Sequence, residues 1–105
     1  MNSYTTADSP KKQFPTGVVG ARFPFALGVQ CVEMTLEPGG VVPTHPKEGN
    51  ALFYVISGTV FAIIGDEEQE VTAGTLVESP ADKVHGIQNR SNIEAKVLVI
   101  KPENN

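Results

Sequence analysis

The chain has 105 residues, enough for one domain with its own core and no need of covalent staples. Its 8 basic and 12 acidic residues give a net charge of -4, with no basic cluster longer than Lys11-Lys12, which argues against nucleic acid as a partner because phosphates demand concentrated positive charge. A single cysteine, Cys31, has no partner for a disulfide and supports neither an oxidising compartment nor a cysteine-based zinc site.

In chain order, residues 1–13 are polar and bury too little apolar surface to order themselves, so composition predicts a flexible N-terminal arm followed by a single domain over 14–105. The arm lacks the apolar core of a signal peptide, and no segment reaches membrane-spanning length. A cytoplasmic protein with no membrane partner is expected. From there on, Val-, Ile-, Phe- and Leu-rich segments alternate with Gly, Pro, Asn and Asp at intervals of about 8 to 12 residues, the rhythm of an all-β sandwich or barrel. Helical periodicity is absent.

The expected strands are "TGVVGARF", "GVQCVEMTLE", "ALFYVISGTVFAII", "EEQEVTA", "TLVES", "VHGIQN" and "EAKVLVIK". Gly65-Asp66 separates an apolar run from an alternating one and reads as a hairpin turn in which both residues tolerate left-handed backbone. Pro38-Gly39-Gly40 and Ser79-Pro80-Ala81-Asp82 mark longer turns, and each precedes a short strand and one of the two histidines, His45 and His85. A two-Greek-key barrel brings two such copies face to face. The run "ALFYVI" is apolar at every position, which predicts cover on both faces, by a homodimer packed sheet on sheet or by the chain's own arm. Asn89-Arg90-Ser91 has the form of a glycosylation acceptor, a chance match in an unexported protein.

With these residues in view, the chain from about Ala26 to Lys101 resembles the cupins, small double-stranded β-helix (jelly-roll) barrels. In that family's first motif, Gly39 is followed by five residues to His45, and Gly58 closes the stretch after "LFYVIS". In the second, "GTLVESPADKVHGIQN" supplies Gly74, Pro80, His85 and Asn89 at the family's spacing. Asp82 stands where the family has Gly, and Asp accepts positive φ more readily than most residues.

The resemblance implies a divalent metal held by three histidines and a glutamate. Position by position, His45 and His85 match two ligands, Lys47 replaces the third histidine and Ala51 replaces the glutamate. Two imidazoles alone make a weak site for iron, manganese, nickel or zinc, and an ammonium beside a cation is repulsive. Glu48 offers a substitute carboxylate, although neighbours in an extended segment point to opposite sides. Phe53 and Phe61 read as core or cavity wall, Cys31 as a small apolar residue, and Gly58 and Gly74 as turn positions.

The resulting expectation is a pocket at the barrel mouth lined by His45, Lys47, Phe53 and His85. It binds a small anionic or sugar-like metabolite through charge-assisted hydrogen bonds. Two alternatives stay open. One is a metal-dependent enzyme of dioxygenase, isomerase or decarboxylase type on a two-histidine site. The other is a metal-free isomerase with His45 or His85 as acid or base and Lys47 stabilising an anion.

Overall fold

A computed structural model of the chain describes residues 1–25, 27–45 and 49–103, the side chain of His45 excepted. Ten strands account for the regular structure, β1 (Lys11–Phe14), β2 (Val18–Arg22), β3 (Val29–Leu36), β4 (Val41–His45), β5 (Ala51–Ser57), β6 (Thr59–Ile64), β7 (Glu67–Thr72), β8 (Leu76–Ser79), β9 (His85–Gln88) and β10 (Ala95–Pro102). Among the described residues there is no helix, and therefore none long and apolar enough to cross a membrane.

The strands form two antiparallel sheets, one in the order β1-β2-β3-β10-β5-β8 and one in the order β4-β9-β6-β7. Alternation along each strand aims one set of side chains between the sheets. Leu36, Val18, Val55, Val60, Ile87 and Val97 are almost wholly buried there. The all-β jelly-roll barrel expected from the sequence is the fold observed.

The long segment "ALFYVISGTVFAII" is two strands rather than one. Gly58 takes φ +81, and a Cβ there would lie 2.9 Å from Ala95 Cα, Ala95 Cβ and the Glu94 carbonyl. Only glycine turns at that point against β10, and the chain passes there from the large sheet into the small one. At the β6–β7 hairpin Gly65 alone has positive φ, so Asp66 does not use its left-handed tolerance. Asp82 does not either: among the described residues no non-glycine residue has positive φ. The turn at Pro80-Ala81-Asp82 therefore closes without a left-handed residue.

The boundary drawn after residue 13 falls inside β1, where Lys11, Lys12 and Gln13 pair with Ala21, Gly20 and Val19. The residues before it lie against the large sheet. Thr6 Oγ1 donates to Glu33 Oε1 at 3.4 Å, the Tyr4 and Phe25 rings are 5.9 Å apart, and Ser9 is buried. Lys11 Nζ donates to the Thr6 carbonyl and, at 2.9 Å, to that of Ser9.

These contacts leave the outer face of β5 open. Ala51, Phe53 and Val55 are buried, whereas Tyr54 and Ile56 on the opposite face are 40% and 41% exposed. The arm thus does not cover "ALFYVI", and among the described residues only one of its faces is covered. Phe61 also departs from expectation. It sits on the outer face of the small sheet with the Arg90 guanidinium 4.1 Å above its ring, while Val60 and Ala62 on either side point inward.

Candidate functional site

The two histidines meet through backbone register. β4 pairs with β9, and His45 lies directly opposite His85 after a bulge between Val42 and His45. Pro43 falls in that bulge, as expected for a residue without an N–H to give to a ladder. Gly86 makes the close passage of β4 feasible, since a Cβ there would sit 3.0 Å from Thr44 Cγ2 and 3.1 Å from the Val42 carbonyl. The His45 side chain, Lys47 and Glu48 lie outside the described residues.

His85 is held on two sides. Its Nδ1 is 3.1 Å from the hydroxyl of Ser79, which is fully buried at the end of β8. Its ring meets the buried Phe53 ring edge-on, with centroids 5.2 Å apart. Asn50 fixes the turn joining these strands, its Oδ1 accepting the Ala81 N–H at 2.8 Å. Phe53 therefore takes its expected place beside His85.

A cavity of about 240 Å³ opens beside this imidazole between the sheets. The pleat explains which side chains line it. On β10 the inward positions run Val97, Val99, Lys101, so the strand ends with an ammonium at the cavity. On β1 the inward positions are Lys12 and Phe14, opposite Gly20 and Val18. Lys12 Nζ lies 5.1 Å over the Phe14 ring. Two lysines and a histidine line the cavity, and no described aspartate or glutamate does. In a chain of net charge -4 this is a local reversal of sign.

Sequence reasoning did not reach Ser79, Lys12, Lys101 or Asn50. Lys101 was legible in principle as the last inward position of an alternating strand. Lys12 was hidden by the polarity of the segment around it.

The larger depression, about 460 Å³, is lined by Leu52, Glu78, Ile100 and Pro102 and shares Asn50, Ala51 and Lys101 with the smaller cavity, and His85 takes no part in it. The metal ligands implied by resemblance are not assembled by what is described. Ala51, at the glutamate position, is buried and has no donor, and among the described residues no group of three or more His, Cys, Asp or Glu is placed to hold a metal ion. Metal contact by His45 rests on a side chain outside the described residues.

Residues 32–101 match the Cupin_2 family, described as a cupin domain. The chain belongs to the cupin family. Solved structures agree on the cupin fold. A predicted oxalate decarboxylase from Thermotoga maritima superposes with TM-score 0.84 at 17% identity, covering 94% of this chain and 96% of that one. The polyketide cyclase RemF from Streptomyces resistomycificus gives TM-score 0.84 at 20% identity over 97% and 79% of the two chains. The protein TT1209 from Thermus thermophilus has 29% identity and TM-score 0.71 over 79% and 82%. No curated protein matches this cupin.

Proposed function

We propose that this cupin binds a small anionic metabolite in the cavity between its sheets. The supporting observation is the charge of the lining: Lys12, Lys101 and His85 converge on a space with no described carboxylate. Ammonium groups form charge-assisted hydrogen bonds with carboxylate or phosphate oxygens, roughly twice as strong as neutral ones. The apolar walls, Phe53, Ile87 and Val99, exclude water and strengthen that attraction.

The test is thermal unfolding against a panel of small carboxylates and inorganic phosphate. A ligand held only by the native state raises the midpoint with concentration. At least one anion is expected to do so, and Lys101→Gln to remove most of the shift. Neutral sugars stabilising the protein as well as any anion would overturn the reading.

A second reading, acid–base catalysis on the bound anion, is favoured by the Ser79–His85 contact at 3.1 Å, which fixes the imidazole ring as proton transfer requires. We also propose that the protein is a homodimer. Tyr54, Ile56 and Leu76 are 40%, 41% and 56% exposed on adjoining strands, and Tyr54 pairs in register with Leu98 and Leu76 on either side. Such a face is suited to packing against its own copy.

A further inference from the structure

Beside the charged cavity lies a second, almost wholly apolar one of about 220 Å³, set between the β1–β2 hairpin and β4 and lined by Val18, Val41 and Pro43. The two share three walls, Phe14, Met34 and Val42, which form the partition between them. Each cavity alone falls short of the roughly 300 Å³ at which ordinary small-molecule sites begin, and the two together fall within that range. Phe14 and Met34 both pack on the bare backbone of Gly20, where a Cβ would stand 3.4 Å from Met34 Sδ and from Phe14 Cε2. An unbranched thioether with three rotatable bonds adapts readily to what lies beside it.

We infer that the two chambers form one amphipathic site whose ligand is a carboxylic acid with an aliphatic or aromatic body of about six to eight carbons. The carboxylate lies with Lys12, Lys101 and His85, and the body passes Met34 and Phe14 to reach Val41 and Val18. This inference rests on the anion reading above, and adds to it a selection by chain length.

The experiment is calorimetric titration of the protein with straight-chain acids from acetate to octanoate. Burying each methylene is expected to raise affinity about three- to fourfold up to hexanoate or octanoate. Val41→Phe, which narrows the second chamber, is expected to abolish that gain, so that octanoate binds no more tightly than acetate. Nuclear Overhauser contacts from the hexanoate methyl to Val18 and Val41 methyls of the unaltered protein give the same answer without any variant. Acids that bind with affinity independent of length overturn the inference and leave the anion reading standing. Binding by no acid of any length overturns both.

Discussion

Ser79 Oγ and His85 Nδ1 are 3.1 Å apart, although the two residues belong to different sheets and are joined by a turn that Asn50 pins through the Ala81 N–H. The contact fixes the ring plane of the one described histidine side chain at the cavity. Ser79→Ala removes it and little else. Carboxylate affinity is expected to fall about three- to tenfold, the worth of one net hydrogen bond. In a His85→Ala background the same change is expected to have no effect, so a double-mutant cycle read by calorimetry isolates the coupling.

Asn89 ties two loops together. Its Nδ2 donates to the carbonyls of Leu36, Glu37 and Ile93 at 3.1, 3.2 and 2.8 Å, and its Oδ1 accepts from the N–H and hydroxyl of Ser91. Buried at 1% exposure, this amide cannot be a glycan acceptor, whatever the triplet it opens. Asn89→Ala removes all of these bonds from one buried position that joins the two loops, and chemical denaturation is expected to report a loss of about 3 kcal/mol.

Gly58 and Gly74 separate two costs of losing glycine. Both have positive φ, but a Cβ at Gly74 meets nothing within 4 Å, whereas one at Gly58 collides with β10. Gly74→Ala is expected to cost about 1 kcal/mol for the strained backbone. Gly58→Ala adds the clash and is expected to cost at least twice as much, by the same denaturation measurement.

At the outer face of the small sheet, the Arg90 guanidinium meets Glu68 at 2.7 and 2.8 Å, and that hydrogen-bonded pairing holds the Glu68 carboxyl below its ordinary range and Arg90 above its own. A depressed carboxyl adds stability above its unfolded-state pKa, and the gain is lost as pH falls through the folded value. Glu68→Gln is therefore expected to lower the denaturation midpoint slightly at neutral pH and to converge with the unaltered protein in acid. The effect is small because both groups are solvent-exposed.

The open face of β5 gives the dimer its test. Tyr54→Glu places a charge at the middle of the apolar patch, next to Leu98 and Leu76. Light scattering after gel filtration is expected to show a dimer for the unaltered protein and a monomer for the variant. A monomeric unaltered protein would contradict it.

Much of the fold was legible because alternation and turn residues coincide. The segments from Val29 to Leu36 and from Ala95 to Lys101 read as strands in the sequence and pair along their whole length. β1 was not legible, because Lys11, Lys12 and Gln13 are polar. The segment is a strand only through pairing with β2, a tertiary effect. His85 was legible from motif spacing, whereas its partner Ser79 was not, since a serine before a proline reads as a turn until the strand ends are brought together. The outward place of Phe61 was hidden because an aromatic in an apolar run gives no sign of which face it takes until register is fixed.

The most direct test of the anion site is amide chemical-shift mapping during titration with hexanoate at low salt. Saturable shifts at Phe14, Ala51, His85 and Lys101, weakened by added salt and by Lys12→Gln, are the predicted result. An unperturbed cavity, or shifts confined to the outer face around Tyr54 and Ile56, would contradict it.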